Sequence, residues 1–177
     1  MKVAITGHTR GIGAEIYNYF SAQGHECVGF SRATGHDIVK SDSRQQIISG
    51  LADCDIFVNN ACSRSDDSQL YMLQEAYELW KDADKIIINV GSRAGDFVHQ
   101  SDHPQIEYFK MKERQDKFCA SKHNKVWLIN LRPGTVDTPF TNKWPGNKMN
   151  VDSISKILDF ALTNKDSFRI KTITFGL

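Results

Sequence analysis

Tyr108 and Lys112 stand four residues apart in the run Tyr108-Phe109-Lys110-Met111-Lys112. The surrounding spacing predicts a helix, so a phenol and an ammonium fall one turn apart on one face. Such a pair suits proton transfer. An ordinary phenol, with a pKa near ~10, is a poor base at neutral pH, and a neighbouring ammonium favours the phenolate. The pair alone is common on amphipathic helices. Its setting singles it out, because it follows a predicted strand ending in Asn89-Val90-Gly91-Ser92. In open parallel sheets ligands bind at the carboxyl ends of strands.

A second group of residues suits an anion. Thr6 to Gly13 reads TGHTRGIG, with glycines at 7, 11 and 13, between a predicted strand and a predicted helix. Without side chains the turn can approach a pyrophosphate closely, and the helix amides and positive dipole end face that anion. Glycines needed only for a tight turn give the same pattern, so the turn alone leaves dinucleotide binding open. Arg10 lies inside the turn, and Ser31-Arg32 ends the next strand, where an adenosine ribose would lie. An acid there would select NAD by bonding both ribose hydroxyls, and none is present. A guanidinium fork suits a 2′-phosphate instead, so NADP(H) is expected over NAD(H).

The elements that must position these residues alternate along the chain. Lys2 to Thr6 is β-branched and apolar, and Ile12, Ile16 and Phe20 follow at helical spacing up to Gly24. His25 to Ser31 reads as a second strand, Ser43 to Leu51 as a helix and Asp55 to Asn59 as a strand buried on both faces. Leu70 to Ala83 and Pro104 to Lys122 are predicted helices, each followed by a strand, Lys85 to Val90 and Val126 to Leu131. Ile154 to Leu162 and Ile170 to Phe175 give the last helix and strand. This predicts an α/β fold over residues 1 to 177, a single Rossmann-like domain with a doubly wound, mostly parallel sheet flanked by helices. Only Arg32 to His36 separate the second strand from a possible third around Asp37 to Val39. A parallel crossover needs about a dozen residues, so the usual third strand and its crossover helix are expected to be shortened or lost.

Composition narrows the function classes. The 177 residues are 40% hydrophobic, and 22 basic against 21 acidic side chains leave a formal charge of +1, which gives no field to draw nucleic acid or an anionic membrane. Cys27, Cys54, Cys62 and Cys119 form no C-x-x-C pair, and the chain opens directly into a strand. Free thiols, a cytoplasmic location, no membrane span and no metal are the expectations.

With these motifs in hand, the sequence resembles the short-chain dehydrogenase/reductase family. The resemblance rests on TGHTRGIG, NNAC at 59 to 62, NVGS at 89 to 92, YFKMK at 108 to 112 and RPGTVDT at 132 to 138, in the family's order over most of the chain. It implies that Tyr108 is the general acid and base, that Lys112 favours its phenolate and holds the nicotinamide ribose, and that Ser92 orients the substrate oxygen. It implies a cofactor held by Gly7, Thr9, Arg10, Gly11, Ile12 and Gly13, by Ser31 and Arg32, and by Asn59, Asn60 and Ala61 on the adenosine side. Cys62 stands where the family usually has glycine. Pro133, Gly134 and Thr138 match the loop along the nicotinamide, and Asp37 resembles the residue near the adenine. The family usually associates through the helices at 70 to 83 and 104 to 122, so a homodimer or homotetramer is implied.

Two departures accompany the resemblance. Phe118 to Lys122 (FCASK) looks like the family's tyrosine-centred sequence with phenylalanine in place of tyrosine, but a phenyl ring carries no transferable proton. From Lys122 only three residues remain before the next strand, too few to return the chain at ~1.5 Å per residue. The family's asparagine that supports a relay water has no match, since no asparagine occurs between Asn60 and Asn89. Asp66, Asp67, Ser68 and Gln69 are the candidates to replace it, unless the relay is dispensable. Loops 93 to 103 and 139 to 150 carry Phe97, His99, His103, Phe140, Trp144 and Met149, which suit either an apolar lid over the substrate or simple packing of the loops.

The expected function is an NADPH-dependent oxidoreductase moving hydride between nicotinamide and a small carbonyl or alcohol. The alternative is a non-catalytic NADP(H)-binding sensor or scaffold. A nucleotide-sugar epimerase is a third reading, which generally needs a larger substrate lobe.

Overall fold

The computed structural model describes residues 1–177. In chain order the elements are β1 (Lys2–Thr6), α1 (Gly11–Ala22), β2 (Glu26–Phe30), α2 (Ser41–Ser49), β3 (Ile56–Asn59) and α3 (Ser68–Trp80). They continue with β4 (Ile86–Val90), α4 (Ile106–Ala120), β5 (Trp127–Pro133), α5 (Ser153–Thr163) and β6 (Thr172–Phe175). One six-stranded sheet runs in the order β2-β1-β3-β4-β5-β6, with every neighbouring pair parallel. Because all strands run the same way, all their carboxyl ends meet at one edge. The strand order reverses between β1 and β3, which opens a crevice at that edge.

Period-two alternation sorts the strand residues to two cores. Ile5, Val58, Ile88 and Ile129 face α1 and α5, meeting Ile16, Phe20, Ile154 and Leu158. Ala4, Phe57, Ile87 and Leu128 face the other way, onto Ile47 of α2, Met72, Leu73 and Tyr77 of α3 and Cys119 of α4. Ile16, Phe20, Ile154 and Leu158 are fully buried, each contributing about 1.5–3 kcal/mol relative to exposure. Helix α1 stops where Gly24 takes a left-handed φ of 78°, its amide donating to the carbonyl of Ser21 at 3.0 Å. This is the Rossmann-like, doubly wound architecture.

No strand forms at 37 to 39. A 3-10 turn at Arg32–Thr34 and a left-handed Gly35 (φ 84°) lead straight towards α2. The Asp37 amide donates to Ser43 Oγ at 2.7 Å, and Ile38 drops its side chain into the core. The third strand and its crossover helix are therefore lost, and β2 is the sheet edge.

Candidate active site

The crevice is a cavity of about 1160 Å³ at the carboxyl edge of the sheet. The turn after β1 supplies Gly7, Thr9, Arg10, Gly11 and Ile12, and the segment after β2 supplies Ser31, Arg32 and Asp37. Asn60, Ala61 and Cys62 come from the loop after β3, Ser92 from the end of β4, and Pro133, Gly134 and Thr138 from the end of β5 and its following loop. Tyr108 and Lys112 reach the same cavity from α4. Two of the expected residues do not line it. Gly13 lies behind the turn, where a Cβ would be driven into the carbonyl oxygen of Gly7. Asn59 is fully buried beneath the cavity floor.

The turn is clasped from β3. Asn60 Nδ2 donates to the carbonyl of Thr6 at 2.9 Å and to that of Gly7 at 3.3 Å. Thr6 Oγ1 accepts the amides of Asn60 and Ala61, each at 3.0 Å. Gly7 and Gly11 both take positive φ, 71° and 56°, which side-chain-bearing residues rarely adopt. At its amino end α1 has no side-chain cap and no acidic residue in its first turn. Its free amides and positive dipole end are therefore available to an anion. Arg10 and Arg32 line the cavity and make no salt bridge, so this end fits the phosphates of a dinucleotide.

On the other side, Lys112 Nζ lies 5.7 Å from the centre of the Tyr108 ring. Ser92 begins a 3-10 turn at Arg93–Phe97, where its Oγ accepts the Ala94 amide at 3.1 Å. Lys112 is 2% exposed and has no carboxylate at its head. Its ammonium donates to Gln69 Oε1 at 2.6 Å, to the Val90 carbonyl at 3.4 Å and to Gln115 Oε1 at 3.5 Å. Burial pulls the ammonium pKa down, but Cys62 and Tyr108 beside it and Asp116 beyond outweigh burial, and the net displacement is upward.

Of Asp66, Asp67, Ser68 and Gln69, the residues considered in place of the relay asparagine, Gln69 is the one that meets Lys112. Its amide nitrogen donates to the carbonyls of Asn59 at 2.9 Å and Val90 at 3.0 Å, which turns its oxygen to Lys112. The acids are engaged elsewhere: Asp66 accepts the Ser68 amide at 2.8 Å, and Asp67 pairs with Arg114 at 2.9 Å.

Beneath Gln69 runs a row of buried carboxamides that sequence reasoning missed. Asn59, Asn89 and Asn130 are register partners on β3, β4 and β5. Asn59 Nδ2 donates to Asn89 Oδ1 at 3.0 Å, Asn89 Nδ2 to Asn130 Oδ1 at 2.9 Å, and Asn130 Nδ2 to Asp116 Oδ1 at 2.8 Å. Asp116 also meets Arg132 at 3.1 Å, and Arg132 pairs with Asp96. Burial raises the Asp116 pKa above the ordinary carboxylate value despite the opposing Asn130 bond and Arg132 charge. The signal in the sequence is an asparagine at the same register in IFVN, IIIN and LIN.

The loops divide. Phe97, His103, Phe140 and Trp144 line the cavity, while Met149 is buried in the core near Val136. His99 does not line it and lies tilted against Phe97, with ring centroids 6.5 Å apart. Phe118 sits near the far end of α4, edge-on to Tyr77 at 5.6 Å, remote from the cavity. No group of three or more His, Cys, Asp or Glu side chains is arranged to hold a metal. No helix is long and apolar enough to cross a membrane.

No protein-family model and no curated protein matches the sequence. Solved structures do match it in shape. The 3-alpha-hydroxysteroid dehydrogenase from Pseudomonas sp. B-0831, complexed with NADH, superposes with a TM-score of 0.79 at 16% identity, over 100% of this chain and 95% of that one. A short chain dehydrogenase from Burkholderia cenocepacia J2315, in complex with NADP, gives 0.77 at 16% identity, over 99% and 88%. An alcohol dehydrogenase from the archaeon Thermococcus sibiricus, complexed with 5-hydroxy-NADP, gives 0.74 at 18% identity, over 98% and 95%. The chain has the fold of the short-chain dehydrogenases/reductases.

Proposed function

We propose that this chain is an NADP(H)-dependent oxidoreductase acting on a small carbonyl or alcohol, with Tyr108, Lys112 and Ser92 as its catalytic residues. The observation that carries the reading is one cavity lined both by a glycine turn suited to a pyrophosphate and by a tyrosine whose neighbouring ammonium is buried. Neighbours of the same fold are complexes with NADH and with NADP, which supports a nicotinamide cofactor. Arg10 and Arg32, free of carboxylates, support the phosphorylated form. Gly7, Thr9, Gly11 and Ile12 would hold its pyrophosphate with the amides of α1, Ser31 and Asp37 would flank its adenosine with Asn60 and Ala61, and Pro133, Gly134 and Thr138 would border its nicotinamide. Gly13 and Asn59 would act from behind, by letting α1 pack on the turn and by fixing Gln69.

When bound, the reduced cofactor supplies the hydride. The Tyr108 hydroxyl donates its proton to the substrate oxygen as charge develops there, and the Ser92 hydroxyl donates a hydrogen bond to the same oxygen. Lys112 favours the phenolate left behind, and Gln69 holds that ammonium beneath the ring. In oxidation the same groups act in reverse. Association into dimers or tetramers through α3 and α4 belongs to the same proposal, supported by Tyr71 and Leu79, which lie about half exposed on α3. Light scattering checks it.

The test is a panel of small carbonyl compounds with NADPH, read by cofactor oxidation and repeated with Tyr108→Phe. Turnover lost in the variant supports the enzyme. Tight NADPH binding with no turnover of any member favours a non-catalytic sensor instead.

A further inference from the structure

The arginines fall into two sets by position. Outside the cavity each one reaches a carboxylate: Arg44 meets Glu75 at 3.9 Å, Arg114 meets Asp67 at 2.9 Å, Arg132 meets Asp116 at 3.1 Å and Arg169 meets Asp84 at 3.5 Å. Arg10, Arg32, Arg64 and Arg93 line the cavity, and none of them reaches one. A guanidinium keeps its charge at any working pH. Asp37 is the only acidic side chain in the lining, against Arg10, Arg32, Arg64, Arg93 and Lys112, so the lining is net positive. The dinucleotide reading above accounts for Arg10 and Arg32. It leaves Arg64 and Arg93 without an anion.

Both surplus arginines belong to the end of the cavity where the substrate would react. Arg93 directly follows Ser92, and its partly buried side chain makes no hydrogen bond to the protein. Its stem crosses two glycines that leave it room. A Cβ on Gly134 would lie 3.8 Å from its Cδ, and one on Gly176 only 2.9 Å from its Nη1. Arg64 reaches over from the loop after β3. Its Nη2 donates to the Phe140 carbonyl at 2.6 Å, and its guanidinium lies 3.9 Å above the Phe140 ring and 5.5 Å from that of Trp144. The Phe140 ring is itself 6.3 Å from that of Tyr108. The Phe140 bond occupies one of the five guanidinium donors and leaves the others for a ligand.

We infer that Arg93 and Arg64 bind an oxyanion carried by the substrate, so that the compound reduced is a small carbonyl bearing a carboxylate or a phosphate monoester. This rests on the oxidoreductase reading and adds the substrate class. In the reduction, hydride from NADPH forms the new C–H bond and the Tyr108 proton forms the new O–H bond. The C=O π bond is lost, NADPH becomes NADP⁺, and the anionic group is unchanged. Guanidinium forks hold such groups through charge-assisted paired hydrogen bonds.

Matched pairs test it. Acetoacetate is compared with ethyl acetoacetate, and dihydroxyacetone phosphate with dihydroxyacetone, using NADPH and the wild-type chain. The expected result is a preference for the charged member of at least one pair, by about tenfold or more in kcat/KM. The pair that shows it identifies carboxylate or phosphate. Arg93→Met and Arg64→Met should each cut that preference about tenfold, chiefly through KM, and Arg93→Lys should restore part of it. Equal rates on charged and uncharged members, with turnover still abolished by Tyr108→Phe, overturn the anion inference and leave the oxidoreductase standing. Loss of NADPH affinity in Arg93→Met, matched by equal losses on both members, assigns the arginine to the cofactor and also overturns it. A calorimetric titration of acetoacetate and dihydroxyacetone phosphate into the protein decides the case without turnover. Binding weakened in both variants supports the anion assignment, and absence of binding to the wild type sinks it, whatever becomes of the oxidoreductase reading.

Discussion

Lys112 and Gln69 form a contact of 2.6 Å in which a fully buried ammonium is held by a neutral carboxamide. A carboxylate at this position would cancel the charge, whereas the carboxamide satisfies one N–H and leaves the positive field intact for Tyr108. Gln69 is in turn fixed by the Asn59 and Val90 carbonyls, so the position of the ammonium is set by the sheet.

Gln69→Leu should destabilise the fold by about 3 kcal/mol, since it removes the shortest contact of a buried ammonium and the side-chain donor to the Asn59 and Val90 carbonyls. Gln69→Glu should recover most of that stability. The two variants part in their pH profiles, because a carboxylate at 69 neutralises the ammonium and should move the rising limb of kcat/KM for alcohol oxidation to higher pH. Superimposable profiles for Gln69→Glu and the wild type would reduce Gln69 to a packing residue.

Arg32→Glu should weaken NADPH binding at least about tenfold more than NADH binding, because it sets a carboxylate where a 2′-phosphate is expected. Fluorescence titration with both cofactors measures this directly. Equal losses would remove the argument for the phosphorylated form.

Asn89→Ala should cost about 2–4 kcal/mol in urea unfolding, as Asn130 Oδ1 loses its buried donor and Asn59 Nδ2 keeps only the Gln69 carbonyl. Asn124→Ala, at the opposite end of the molecule, supplies a comparison for a carboxamide outside the row. A cost for Asn89→Ala below about 1 kcal/mol would mean the row adds nothing net.

Burial pushes the Cys119 thiol up to about 12 from an ordinary value of 9.0. The folded chain therefore keeps this proton where the unfolded chain has released it. Stability from this group is full below pH 9.0 and declines towards about 12, with a slope of up to about 1.4 kcal/mol per pH unit. Cys119→Ala should lose that part of the alkaline decline, as read by urea unfolding at two pH values within the window. An identical decline in both proteins contradicts the assignment.

Much of this was legible in the residues themselves. Strand and helix periods gave the alternation, and the short Arg32 to His36 connection announced the lost strand because no parallel crossover fits in it. Tyr108 and Lys112 were legible because helical spacing is local. The carboxamide row was not, since Asn59, Asn89 and Asn130 sit singly in apolar runs and become neighbours only once the strand order and register are set. Gln69 required the phase of α3, which begins at Ser68 and turns Gln69 inward while Asp66 and Asp67 stay with Ser63, Ser68 and Arg114. For Met149 the residues left lid and packing open, and its backbone bonds to Thr135 and Asp137 decide for packing by drawing the side chain into the core.

The asparagines on β3, β4 and β5 also bear on how the chain finds its pairing. The runs IFV, III and WLI are nearly interchangeable as apolar strands, and a slip of two residues would keep every oily side chain on its proper face. Such a slip would bury three amides opposite hydrocarbon. The row therefore works as an alignment key that penalises misassembled sheets which hydrophobicity alone would tolerate.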